Sequence, residues 1–308
     1  MTELLTISSY KTLVIGVCFL GFIISLNLLF PVAMYLDATS NPFVSLSIMK
    51  NKSEYKNEIV NDGHLKCDPK RKIAFQKTHK CASTTIQNLL LRFGRANSLN
   101  FVLPPGGSPL DQSIPFKRSM IKETLWEKAG LEYDIFLLHS MWNQKEIANT
   151  LSDHGDVFYF SFIRDPAVRF RSRWDYNSLD RKYNKTIEEY ALEAAKETDI
   201  TLQKRRIGFN QILHDFGLPY EAMNDQEKIE NKIKEIDETF DLILLADNDY
   251  FNDSIILLKD ALCWEYKDMI NFQLNSKNEK LVTSLSPRAY KALKGNQLSM
   301  VIRDELGG

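Results

Sequence analysis

Apolar and polar positions alternate along this chain in blocks. Four short runs rich in branched and aromatic residues have the length and composition of buried strands: KIAFQK (72–77), YDIFLLH (133–139), VFYFSFI (157–163) and DLILLA (241–246). Longer stretches with helical spacing lie between them. TTIQNLLLRFG (84–94) is one, and Gly94 stands where a helix would stop. DPAVRFRSRWDY (165–176) is another, opening with Asp165 as N-cap and Pro166 at the first helical position. Further helices are predicted at 186–197, 203–215, 225–237 and 253–263. Strands separated by helices predict an α/β domain, its parallel sheet covered on both faces.

The N-terminal quarter departs from this pattern. Residues 12–30, TLVIGVCFLGFIISLNLLF, carry no charge and are long enough to span a bilayer. The competing reading, a cleaved signal peptide, usually has a shorter apolar region followed by a small-residue cleavage site, and PVAMYLD offers no clear one. The expected layout is a cytoplasmic tail (1–11), a transmembrane signal anchor (12–33), a polar stem (34–70) and one catalytic domain (71–308). Lys11 precedes the span and Asp37 follows it, which favours a type II orientation with the bulk of the chain lumenal.

Charge and cysteine content narrow the options. With 39 basic against 40 acidic residues there is no global field to attract nucleic acid or anionic lipid, so anion binding must be local. Three Asn-x-Ser/Thr triplets, at Asn51, Asn184 and Asn252, agree with a secretory location. Of the four cysteines, Cys18 lies in the span and Cys67, Cys81 and Cys263 beyond it. Cys67 with Cys263 is one conceivable bridge; free buried thiols are the alternative. No His/Cys/Asp cluster has ligand spacing, so no metal is expected.

The candidate chemistry begins after the first strand, at FQKTHKCASTT (75–85). A strand that runs through a short loop into a helix places the helix amides and their partial positive charge at the carboxyl edge of the sheet. Here Lys77, Lys80 and the hydroxyls of Ser83, Thr84 and Thr85 are candidates to hold a phosphate-like group. The loop has no glycine, so it is not the Walker A sequence of nucleotide kinases. A second candidate is SFIRDPAVRFRSRW (161–174), where Arg164 ends a strand and Ser172 follows eight residues later. A guanidinium offers a permanently charged, forked grip on phosphate oxygens. Arg169, Arg171 and Arg173 are assigned to solvent or to the rim of an acceptor site.

The words KTHK-x-A-S-T-T-x-x-N-x-L-x-R-F-G and F-I-R-D-P together resemble the galactose-3-O-sulfotransferase family of Golgi enzymes, which includes galactosylceramide sulfotransferase. The resemblance runs from about Cys67 to about residue 295 and takes in His139, GFNQILHDFGL (208–218) and DLILLADNDYFNDSIILLKDALCW (241–264). It implies a P-loop-like (kinase-like) fold and 3′-phosphoadenylyl sulfate (PAPS) as sulfuryl donor, with galactose-terminated glycolipids or glycoproteins as acceptors. It also implies roles. Lys80 would stabilise the leaving oxygen, Ser83, Thr84 and Thr85 would hold the 5′-phosphosulfate, and Arg164 and Ser172 would hold the 3′-phosphate. Among the five histidines, His139 ranks first as general base and His79 second. A Golgi membrane location is expected, no nucleic-acid partner, and a homodimer stays open.

Two departures from the family pattern stand out. Cys81 replaces a common threonine, and the segment after Leu293, GNQLSMVIRDELGG, lacks the Trp- and Tyr-containing continuation of family members. Two rival functions remain alongside: a Golgi sulfotransferase for another glycan, and a non-catalytic membrane-anchored relative acting as a partner protein.

Overall fold

A computed structural model describes residues 67–104, 110–121, 123–196, 210–271 and 283–298. All of them belong to one compact unit, Ser47–Gly308. The predicted tail, anchor, most of the stem and Asn51 lie outside the described residues. Among the described residues no helix is long and apolar enough to cross a membrane.

The four apolar runs form one parallel sheet. Its strands are β1 (Ile73–Gln76), β2 (Ile135–Phe136), β3 (Phe158–Ile163) and β4 (Leu242–Leu245), ordered β2-β1-β3-β4. Near-continuous burial of these strands is what a sheet covered on both faces requires. The connection leaving β1 runs to β2 on one side, and the one leaving β3 runs to β4 on the other. The crevice between β1 and β3 is therefore the switch point where such sheets bind ligands.

The second strand is shorter than its sequence suggests. Only Ile135 and Phe136 pair, with Ile73 and Ala74. Beyond them the chain leaves the sheet, because the Gln76 amide captures the Ser140 carbonyl at 3.1 Å and Met141 bridges to Pro115. His139 thus sits on a loop beyond the strand rather than at its end.

Ten helices surround the sheet among the described residues. They are α1 (Ser83–Ala96), α2 (Leu125–Lys128), α3 (Gln144–Thr150), α4 (Pro166–Tyr176), α5 (Leu179–Tyr183), α6 (Ile187–Lys196), α7 (Gln211–Asp215), α8 (Gln226–Thr239), α9 (Phe251–Leu262) and α10 (Pro287–Leu298). Helix α1 buries Ile86, Leu89, Leu90 and Phe93, a stripe at three- and four-residue spacing. It runs past Gly94 to Ala96, contrary to the expected stop. Gly94 is there for packing, since a Cβ would collide with the Phe101 ring.

Helix α4 starts as expected. The Asp165 carboxylate accepts from the amides of Ala167 and Val168, both at 3.0 Å, and Pro166 follows. The segment 283–298 grips this helix at both ends. The Tyr290 hydroxyl donates to Asp165 at 2.7 Å, and the Thr283 hydroxyl donates to Asp175 at 2.5 Å. Between these points Ala289 and Leu293 of α10 enter a core with Ala167, Phe170, Trp174, Ile187 and Tyr190.

The start of the described chain is tied to the domain ahead of residue 71. Cys67 and Cys263 form a disulfide with Cα atoms 5.9 Å apart, Lys70 donates its amide to Leu262, and the Trp264 indole donates to the Lys70 carbonyl. Trp264 stacks on Phe93 of α1 at 3.7 Å, so this staple braces the helix that follows the candidate loop.

Two glycosylation triplets fall among the described residues. Asn184, Lys185 and Thr186 are all exposed in the turn between α5 and α6, whereas Ser254 of the Asn252 triplet is buried against Leu245. Replacing Cys263 by Ser removes the staple around a long loop and is expected to lower the unfolding free energy by about 2–4 kcal/mol, read from urea denaturation under non-reducing conditions.

Candidate active site

The site begins with polar side chains inside the sheet. Gln76 ends β1 and is fully buried. Its amide donates to the carbonyls of Ser140 and Asp215, and its own carbonyl accepts from the Ser161 hydroxyl of β3 at 2.8 Å. Thr78, also fully buried, donates to the Phe162 carbonyl. Since Gln76 pairs in register with Ser161, the loop after β1 lies beside Phe162, Ile163 and Arg164. Both candidate anion sites are thereby set at one edge.

The loop 77–82 turns without glycine. Lys80 and Ala82 take the left-handed conformation, with φ of 64° and 53°. Such residues cost about 1–2 kcal/mol each and concentrate where function demands the backbone shape. Alternation of this kind turns successive amides toward a common point. Helix α1 then starts at Ser83, with Ala82 in the N-cap position offering no side-chain cap and no acid in the first turn. An uncapped, unopposed helix start fits an anion, as the sequence implied.

The loop side chains divide into two sets. Lys77 turns inward, donating to Gln87 of α1 at 2.7 Å, and burial lowers its pKa to about 8. Ser83 and Thr85 are buried, while Thr84 is exposed. Cys81 is buried, and burial pushes its thiol up to about 11, so it is protonated and unreactive at neutral pH. Lys80 reaches outward, its ammonium 3.8 Å from the ring centroid of Tyr176 at the end of α4.

His79 and His139 stack on each other with ring centroids 4.4 Å apart. Their outer partners differ. His139 donates Nδ1–H to the Lys77 carbonyl at 2.7 Å, which leaves Nε2 with the lone pair. Burial first, then the charges of His79 and Lys77, lower its pKa to about 3. His79 donates Nδ1–H to Asp215 at 2.9 Å, and its backbone amide donates to the same carboxylate at 2.8 Å.

Asp215, 2% exposed at the end of α7, also accepts from Gln211 at 2.9 Å. Burial opposes its ionisation, yet the charge and hydrogen bonds of His79 outweigh burial and hold its carboxyl below the usual range. The sequence reading passed over Asp215. Its signal was a lone carboxylate in the apolar word ILHDFGL. Gln76 was missed in the same way, as a single amide closing an apolar strand.

The second loop places Arg164 beside Asp247, Nε to carboxylate 3.6 Å, and beside Asn248 at 3.5 Å. Its Nε is buried and makes no hydrogen bond among the described residues, which leaves donor capacity for a phosphate. Ser172 is half-exposed on α4, one turn before Tyr176. Two of the other arginines of α4, Arg169 and Arg173, are not as the sequence suggested. Arg169 is fully buried, because its helix face packs inward toward Asp215 and Cys81, and Arg173 donates to Gln211 at 2.7 Å.

Of the loop between 100 and 113, residues 105–109 lie outside the described set. Its ends are anchored by the Phe101–Ile135 bridge and by buried Leu110. Among the described residues no group of His, Cys, Asp or Glu has the arrangement of a metal site.

The chain is similar in sequence to several known sulfotransferases. Galactosylceramide sulfotransferase of Bos taurus is 29% identical over 233 residues, covering 73% of this chain and 53% of that protein. The Homo sapiens protein of that name is 29% identical over 239 residues, covering 75% and 54%. Galactose-3-O-sulfotransferase 2 of Mus musculus is 30% identical over 234 residues, covering 73% and 58%. The chain thus spans about half the length of these curated relatives. The family model described as galactose-3-O-sulfotransferase matches residues 3–302, nearly the whole chain, and the chain belongs to that family.

Proposed function

We propose that this chain transfers a sulfuryl group from PAPS to the 3-hydroxyl of a terminal galactose on a glycolipid or glycoprotein. The observation that carries the reading is the meeting of two candidate anion sites, residues 77–85 and Arg164, at the carboxyl ends of adjacent parallel strands. Their spacing in sequence is large, but the β1–β3 register makes them neighbours. The names of the relatives support galactose as the acceptor sugar.

When bound, PAPS supplies a sulfuryl group on a phosphate leaving group. The amides at the start of α1, with Ser83, Thr84 and Thr85, would hold the 5′ end, and Arg164 with Ser172 the 3′-phosphate. Lys80 would meet negative charge on the bridging oxygen as the old S–O bond breaks and the new one to the sugar oxygen forms. Lys77, buried against Gln87, would brace the loop.

The sugar hydroxyl must lose its proton to a base. Between the two candidates we assign that role to His79, since Asp215 fixes its tautomer with Nε2 outward and can balance the imidazolium that forms. His139, kept neutral by burial, would be its stacked neighbour.

The surroundings fit a lumenal enzyme. The Cys67–Cys263 disulfide suits an oxidising compartment, and the exposed Asn184 triplet suits glycosylation there. With residues 12–33 as anchor, the reading is a type II Golgi membrane protein.

Calorimetric titration with adenosine 3′,5′-bisphosphate tests the donor site. Binding is expected, with Arg164→Ala weakening it by about 10–100-fold, the worth of a charge-assisted hydrogen bond. No binding to the folded protein overturns the proposal. Transfer of labelled sulfate to a panel of galactosides and other glycans tests the acceptor. Lys80→Ala should lower kcat by about 10²–10³. His79→Ala should lower it by about 10²–10⁴ and His139→Ala by less, and the reverse order would move the base to His139.

His139 also makes stability depend on pH. Its folded pKa is depressed, so the unfolded chain binds its proton first as pH falls. The contribution is complete above about 6.5 and is lost progressively toward 3. Between pH 7 and pH 5 this amounts to about 2 kcal/mol, in a window above the titration of Asp215. His214, also lowered by burial, adds slope of the same sign. Urea denaturation at the two pH values should therefore show a smaller loss for His139→Gln than for the unaltered chain.

A further inference from the structure

Lys80 does not project freely from its loop; its ammonium lies over the Tyr176 ring, 3.8 Å from the centroid. Tyr176 is 66% exposed, so core packing does not account for where its ring lies. The apolar face of α4 is supplied by Phe170 and Trp174. Tyr176 instead shares the face of Ser172, one helical turn earlier. The residue just before it, Asp175, is tied to Thr283 by two hydrogen bonds, which fixes the end of α4 where the ring is mounted.

We propose that Tyr176 is a positioning residue for Lys80, holding its ammonium at the mouth of the donor cleft before the sulfuryl donor arrives. This rests on the reading of Lys80 as the residue that meets the leaving phosphate. A lysine side chain has a flexible four-carbon stem and loses rotamer freedom when it binds. An aromatic face reduces that loss, because it draws the cation to one place in advance. It does so without neutralising the charge. A ring quadrupole attracts the ammonium and leaves its own charge intact for an anionic donor. The left-handed backbone at Lys80, φ 64°, occurs at the residue whose side chain crosses to α4.

A binding cycle with adenosine 3′,5′-bisphosphate as probe tests this on the full chain by calorimetry, needing neither an acceptor nor turnover. Tyr176→Leu should weaken binding by roughly two- to fivefold, the range of an exposed cation–π contact, while Tyr176→Phe retains the affinity of the unaltered chain. In a Lys80→Ala background Tyr176→Leu should change nothing further. Unchanged or tighter binding by Tyr176→Leu overturns the inference, as does a loss that persists without Lys80. If the unaltered chain binds no bisphosphate, the donor-site reading itself fails. If it binds and the cycle shows no coupling, only the role of Tyr176 is lost.

Discussion

The parallel pairing of β1 with β3, locked at its carboxyl end by buried polar side chains, is the constraint on which the site depends. The Thr78 and Ser161 hydroxyls donate across this junction, and the Gln76 amide beside it donates to the Ser140 and Asp215 carbonyls. Each such bond contributes only about 1 kcal/mol net, but a buried group left without a partner costs about 1–3 kcal/mol. The junction is thus one arrangement with no inexpensive alternative. It holds the loop that starts at Lys77 beside Arg164, and so sets the separation of two candidate anion sites that are far apart in the chain.

Asp215 extends that junction to the chemistry. Its backbone carbonyl accepts from Gln76 and from the Trp142 amide, while its carboxylate accepts from His79 and Gln211. One residue at the end of α7 therefore joins the sheet, the 139–142 loop and the histidine pair. The turn after it needs Gly217, whose φ is 95° and where a Cβ would collide with the Trp142 carbonyl. Helix α4 is held in a comparable way. Its first residues are tied through Asp165 to Tyr290, and its last through Asp175 to Thr283, so the segment 283–298 helps set the helix that carries Ser172 and Tyr176.

Much of this was legible in the amino-acid sequence. Buried strands need continuous apolar runs, and amphipathic helices need a stripe at a period near 3.6, so the four strands and α1, α4, α6, α8 and α9 were visible from local pattern alone. Asp165-Pro166 announced the start of α4 because capping is a local interaction. The two candidate loops could be found for a similar reason: their residue types are written in adjacent positions, lysine with hydroxyls in one and arginine closing a strand in the other.

What sequence could not supply were the contacts made across the fold. The early end of β2 and the helical course through Gly94 were set by partners outside each element, Gln76 and Phe101. So were the inward turn of Lys77, the burial of Arg169, the hold of Asp215 on His79 and the meeting of Lys80 with Tyr176. Composition and periodicity determined which segments become strands and helices, because those preferences act over a few residues. Tertiary structure decided which polar side chains become machinery, because burial and hydrogen-bond partnership exist only once distant segments have packed.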